Sequence, residues 1–251
     1  MRRQQRQKTL ELGVILLLTE LFNIGFDAIP PITLFTIIGQ ALLYVGIVEL
    51  PWEPWEICIS ADKVWKQRDF KPLLWANFVH GDDMHLYYNM VSFLVKGRTL
   101  ESRYGSANFA FLLGFLTVMT SGLYVGLSIM GAELMGDKRI LSSCAVGFSG
   151  VIFALKLITT IENPKGYTRV GDFNVPTRYA AWAELIAIYV LVPNSSFLGH
   201  FAGILAGLLY MKTPLQNIID GLISSITGRN IYHPQISSED YAEYYYENYY
   251  R

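Results

Sequence analysis

The chain reads as an all-α membrane protein: six transmembrane helices, an additional N-terminal interfacial helix and a disordered C-terminal tail. Three observations carry this. Apolar residues fill 52% of the 251 positions and charged residues only 16%, against the ~25% charge of a soluble domain. Several stretches lack Asp, Glu, Lys and Arg over about the 20 residues needed to cross the hydrocarbon. Histidines fall in or beside those stretches, where polar groups are costly and serve function. A net charge of −1 gives no field that would attract nucleic acid.

The elements follow in order. The opening "MRRQQRQKTLELGVILLLTELF" is basic and then apolar, but Glu11 and Glu20 bracket the run and no small-residue cleavage site follows. It is therefore not a cleaved signal. Leu12–Phe26 reads as an interfacial or re-entrant helix. Ala28–Val48 is a charge-free span with Pro30 and Pro31 at its entry. A long loop over 49–82 carries Trp52, Trp55 and Trp65 among charges and suits a membrane surface. Met84–Val95 and Ile140–Leu155 are short charge-free runs that need surrounding helices. Tyr104–Ala132 is long enough to span with tilt. Pro193 and Asn194 divide the apolar region 178–212 into two helices.

Basic residues set the orientation. Arg2, Arg3, Arg6 and Lys8, then Lys96, Arg98 and Arg103, then Lys165, Arg169 and Arg178 fall on one side of a six-span bundle. That side, with both termini, is cytosolic. The tail 213–251 ends in "SSEDYAEYYYENYYR" and reads as disordered, with His233 solvent-exposed. Cys58 and Cys144 are too few for a disulfide framework, and nothing in the sequence pairs them, so they read as free thiols.

Three polar constellations remain. In "GFSG", Gly147 and Gly150 flank Ser149. Alone, this is also what a packing helix uses. In "LGHFAGILAG", Gly199, Gly203 and Gly207 recur every four residues, a stripe that lets a second helix approach closely, with His200 at its edge. Both segments run inward from the outer side, so Ser149 and His200 fall at similar depth. A hydroxyl beside an imidazole is the pairing that nucleophilic catalysis requires. No acidic third member is near; helix packing, with Phe153 stacked on the ring, can orient the histidine instead. In "FVHGDDMHLYYNM", His85 and Asn89 share a helix face and can donate to an oxyanion, with His80 just above. A metal site from His80, His85 and Asp82 or Asp83 is the competing reading of this stretch; none is expected, nor any cofactor.

In that order, "FVHGDDMHLYYNM", "GRTLESRYGS", "GFSGVIFALK" and "GHFAGILAGLLY" resemble the rhomboid intramembrane serine proteases over roughly residues 28–212. The resemblance implies a rhomboid domain over 28–212, between a cytosolic segment 1–27 and a cytosolic tail 213–251. It implies Ser149 as nucleophile, His200 as base, and His85 and Asn89 as oxyanion donors. His80 would guide water, Phe153 would pack on the base, and Glu101 and Gly105 would brace the fold. The substrates implied are single-span or polytopic membrane proteins within the lipid bilayer.

More narrowly, "SCAVGFSG" and "PTRYAAWAEL" are similar to the endoplasmic-reticulum rhomboid domain-containing proteins of animals. That likeness implies the endoplasmic reticulum membrane and a part in protein quality control. It also implies ubiquitin-dependent degradation machinery as a partner, although no ubiquitin-binding helix is legible in 213–251.

Independently of the resemblance, Lys156 and Glu184 fall at equal depth on neighbouring segments and are expected to form a structural ion pair. The functional expectation is an intramembrane serine endopeptidase using a Ser–His dyad. The alternative is a catalytically inactive rhomboid-fold protein that binds membrane proteins and routes them for degradation. A transporter is disfavoured, because no internal repeat is visible.

Overall fold

The computed structural model describes residues 11–192 and 195–234. Eight long helices dominate: α1 (Leu12–Ile24), α2 (Pro31–Tyr44), α3 (Asp83–Tyr104), α4 (Ser106–Met135), α5 (Ser149–Glu162), α6 (Ala180–Leu191), α7 (Phe197–Lys212) and α8 (Leu215–Thr227). The all-α expectation needs one amendment. A small antiparallel hairpin, β1 (Tyr167–Val170) with β2 (Phe173–Pro176), follows α5. α4 is long and apolar enough to cross a membrane; α1, α2 and α7 are apolar but shorter.

Hydrogen bonds fix the helix directions. Glu101, near the end of α3 and 1% exposed, caps the start of α2. Its carboxylate accepts from Ile32 N–H at 2.9 Å and from Thr33 N–H and Oγ1 at 2.7 Å. A carboxylate on a helix N-terminus is favourably placed against unpaired N–H groups. α2 therefore runs back along α3 and ends where the Tyr44 hydroxyl donates to Glu11 Oε2 at 2.6 Å. At that same end Gly13 N–H donates to Asp83 Oδ2 at 2.8 Å.

α1 thus lies lengthwise beside α3, whereas the sequence suggested a helix lying in the interface. Gly13 lets the two backbones touch, since a Cβ there would collide with the Asp83 carbonyl. Val14, Leu17 and Leu21 bury into the main core with Leu86, Met90 and Phe93 of α3. As a result Glu11 and His233 sit at opposite ends of the bundle. The sequence reading had put both termini on one side; residues 1–10 lie outside the described residues.

Two segment boundaries also move. α3 continues past Val95 through Lys96, Arg98, Glu101 and Arg103. These charges sit on a helix because Lys96 bonds Ser92 Oγ at 2.7 Å and Glu101 caps α2. The run expected as one helix from Ile140 breaks into a helical turn, Arg139–Ser142, and an extended stretch before α5. The tail is not structureless from residue 213. α8 buries Ile223 against the bundle, and Thr227 Oγ1 donates to Asn108 Oδ1 at the start of α4, 2.6 Å away. Residues 235–251, with the tyrosine-rich end, lie outside the described residues.

Candidate active site

Ser149 is the first residue of α5. The chain reaches it through Gly147, whose φ of 113° is a conformation that L side chains rarely adopt. A Cβ at this position would also lie 2.7 Å from the His85 ring. Gly147 N–H donates to the Ala76 carbonyl at 2.9 Å, which pins the loop. The first bond of the helix is Ile152 N–H to Phe148 O, 3.1 Å. The N–H groups of Ser149, Gly150 and Val151 therefore precede the α5 hydrogen-bond ladder, as at any helix start.

His200 is the fourth residue of α7. Ser196 Oγ accepts from Gly199 N–H at 3.1 Å and caps this helix one turn before the imidazole. His200 Nε2 lies 2.8 Å from Ser149 Oγ. The close fit of α5 on α7 brings the two together. A Cβ on Gly203 would collide with the Gly150 carbonyl, and one on Gly150 would sit 2.8 Å from Thr120 Cγ2 and 3.0 Å from Gly199 O. A Cβ on Gly207 would meet Ala154 O at 2.9 Å. The Phe153 ring lies 4.8 Å from that of His200 at an interplanar angle of 32°. Among the described residues no carboxylate bonds His200.

The third constellation lies across the Gly147 loop. Asp82 caps α3 through His85 N–H at 2.7 Å, and Gly81 N–H approaches His85 Nδ1 at 3.5 Å. The His80 and His85 rings meet edge to face at 5.0 Å. His80 is 4% exposed, and neither of its ring nitrogens has a partner. Burial, and then the neighbouring His85, hold its pKa well below the usual histidine value, so it is neutral. Asn89 donates one amide hydrogen to its own helix, to His85 O at 2.7 Å. Asp82 and Asp83 are both engaged as caps, and no cluster suited to a metal ion occurs among the described residues.

Lys156 and Glu184 form an ion pair between α5 and α6. Glu101 and Gly105 lie at the far end of α3, where Gly105 turns the chain into α4 with φ of 84°.

Three features escaped the sequence reading. The first is a cavity of about 40 Å³ behind Ser149, lined by Asn77, Thr120, Ser121 and Tyr124 and walled by Ile59 and Ala145. Asn77 Nδ2 donates to Ser121 Oγ at 2.9 Å, and Thr120 Oγ1 has no partner. The space suits a water with polar neighbours. The second is a disulfide between Cys58 and Cys144, which corrects the expectation of free thiols. Ile59 and Ala145 exchange two backbone hydrogen bonds of 2.9 Å and bring the sulfurs together. The third is His233, whose partners at the other end of the bundle are Glu162 and Asp220. It is not the solvent-exposed residue the sequence suggested.

The rhomboid domain model matches residues 63–217. Rhomboid-related protein 4 of Rattus norvegicus is 44% identical over 218 residues, 86% of this chain and 68% of that protein. The Homo sapiens protein of the same name is 40% identical over 249 residues, 96% of this chain and 78% of that one. Rhomboid-type serine protease 2 of Podospora anserina is 29% identical over 135 residues, 52% of this chain and 44% of that protein. With the domain matched over most of its length, and relatives this similar along nearly all of it, the chain belongs to the rhomboid family.

Proposed function

We propose that this chain is an intramembrane serine endopeptidase that cleaves membrane proteins in or near their transmembrane segments. The single observation that carries this reading is the 2.8 Å contact of Ser149 Oγ with His200 Nε2. Rhomboid-family proteins are membrane-embedded and are generally intramembrane proteases.

In this mechanism His200 Nε2 accepts the Ser149 proton as Oγ adds to the scissile carbonyl. Oxyanion charge is met by the Ser149 N–H, by His85 and by the second amide hydrogen of Asn89. His200 then protonates the leaving amine. Water entering the acyl-enzyme through the cavity behind Ser149 completes hydrolysis, with His200 again the base. A helical substrate must unwind at the cut, because its carbonyls are bonded internally.

The arrangement we infer in the membrane is six spans, α2 to α7 without α8, with α1 as an added helix. The Ser149 end faces the lumen of the endoplasmic reticulum. The basic residues at the far end of α3, Lys96, Arg98 and Arg103, and those after α5, Lys165 and Arg169, favour this orientation, and so does the disulfide, since such bonds persist in oxidising compartments. A role in quality control with ubiquitin-dependent machinery is part of the same proposal.

Binding without cleavage is the second reading, favoured by the Asn89 amide that bonds its own helix. One experiment separates them. A single-span reporter is co-expressed with wild type and with Ser149→Ala. Fragments present with wild type and absent with the variant are expected. Fragments that persist in the variant, or never form, overturn the protease reading.

A further inference from the structure

The Cys58–Cys144 bond stands close to the chemistry. Cys144 precedes Ser149 by five positions, and everything between them is loop. Ala145 pairs with Ile59, Gly147 hangs on Ala76 O, and Ile59 and Ala145 wall the cavity behind Ser149. The bond closes a separation of 86 residues, from the first long loop to the entry of the nucleophile helix. Without it, the backbone bonds from that entry to the loop are two of an isolated bridge and one from Gly147, beside the packing of Ala145 on the Ile59 cluster and of Phe148 on Phe78.

The two sulfurs differ in surroundings. Cys144 is exposed, whereas Cys58 is half-buried. Lys63 Nζ lies 3.3 Å from Cys58 Sγ and also donates to the carbonyls of Trp55, Glu56 and Cys58. Those three carbonyls hold the ammonium in place against one sulfur. A cation beside a sulfur stabilises its thiolate, and the better-stabilised thiolate is the better leaving group in exchange.

We propose that Cys58–Cys144 is a thiol–disulfide exchange site through which a dithiol reductant switches off the protease. The inference rests on the reading of Ser149 as the nucleophile. A thiolate of the dithiol attacks exposed Cys144 Sγ. The Cys58–Cys144 bond breaks, and Cys58 leaves as a thiolate beside the Lys63 ammonium. The second thiol of the reductant then attacks its own sulfur in the mixed disulfide and releases Cys144. Two electrons pass to the chain, the reductant ends as a disulfide, and its two protons end on Cys58 and Cys144. Released from its tether, the 144–148 loop no longer fixes Gly147 against His85, and Ser149 loses its alignment.

The test uses the purified full chain in phosphatidylcholine vesicles with a single-span reporter. One sample is kept oxidised. Another is treated with dithiothreitol, its thiols are blocked with N-ethylmaleimide, and the reductant is removed. Cleavage should fall by about tenfold or more, the scale of a small misplacement of a catalytic group. Reoxidation of reduced, unblocked protein should restore it. Lys63→Met, when oxidised, should cleave at the wild-type rate yet open several-fold more slowly in a thiol-alkylation time course.

An active oxidised enzyme that is indifferent to reduction and blocking overturns the exchange site alone. So does isolated protein whose two cysteines alkylate without reductant. An oxidised wild type no faster than Ser149→Ala overturns the protease reading, and this inference with it.

Discussion

The two ends of the bundle are held by different physics. At the Ser149 end the groups beside the nucleophile candidate are hydroxyls, amides and imidazoles, set by glycine contacts and a covalent bond, and the nearby carboxylates of Asp82 and Asp83 are engaged with backbone N–H groups at helix starts. At the other end the groups are charged. Glu162, 4% exposed at the end of α5, is paired with Arg103 and accepts from the Tyr104 hydroxyl. His233 joins Glu162 Oε1 at 2.7 Å to Asp220 Oδ2 at 2.9 Å. Tyr210 of α7 donates to Asp220 at 2.5 Å.

The same helices serve both ends. α3 carries Asn89 and Tyr104, α5 carries Ser149 and Glu162, and α7 carries His200 and Tyr210. About 20 Å of helix separates the two ends along α5. Among the described residues no carboxylate bonds His200, and the ionic cluster that anchors the same helices lies at the far end of the bundle.

Removing the chemistry itself should have the largest effect. Ser149→Ala and His200→Ala should each lower reporter cleavage by about a thousandfold or more. Thermal unfolding in detergent should stay within about 1 kcal/mol of wild type, because the charged end is untouched. A large stability loss would mean that the pair is structural.

Breaking the contact that both ends share comes next. Gly203→Val drives side-chain atoms into the Gly150 carbonyl and should cost about 3 kcal/mol or more, since neither backbone can yield. Cleavage and thermal stability should fall together. Retained stability would mean that α7 can shift, and that the glycine stripe does not set the Ser149–His200 distance.

Midway between the ends, Lys156→Glu or Glu184→Lys should each destabilise by roughly 3 kcal/mol, the cost of an unpaired charge in a low-dielectric setting. The double reversal should recover most of it. A double variant no better than the singles would dismiss the pairing.

The smallest effect is a titration at the charged end. Burial disfavours the His233 cation, but the hydrogen bonds and charges of Asp220 and Glu162 outweigh it and push the pKa up to about 9. A pKa raised on folding contributes stability in full below the ordinary histidine value near 6.5, and loses it as pH rises through about 9. With allowance for solvent screening this amounts to about 1–2 kcal/mol. Unfolding midpoints compared at pH 6 and pH 9.5 should show the loss in wild type and a flatter profile in His233→Gln. Equal pH dependence in the two proteins would remove His233 from the account.

Much of this molecule was readable in its residues. Hydropathy marks the helices, because a charge-free run has few alternatives to burial or lipid. The four-residue glycine period marks the face of α7 that meets α5. Ser149, His200, His85 and Asn89 stood out because polar groups are costly in apolar runs.

What escaped were features settled by neighbours distant in sequence. Glu101 and Lys96 read as loop charges, yet they lie on α3, where a helix start and a serine receive them. The segment "SCAVGF" is as apolar as a helix, yet Gly147 and its bond to Ala76 delay α5 until Ser149. Composition also could not tell a paired cysteine from a free one, or a buried histidine from a tail residue.

By itself, then, the sequence determined which stretches leave water and which side chains could carry chemistry, since both follow from the cost of burying polar groups. The tertiary structure alone decided which of them meet: Ser149 with His200, Cys58 with Cys144, His233 with Glu162. These contacts join residues 51, 86 and 71 positions apart. Separations of that size are closed by the packing of whole helices, and no local pattern encodes them.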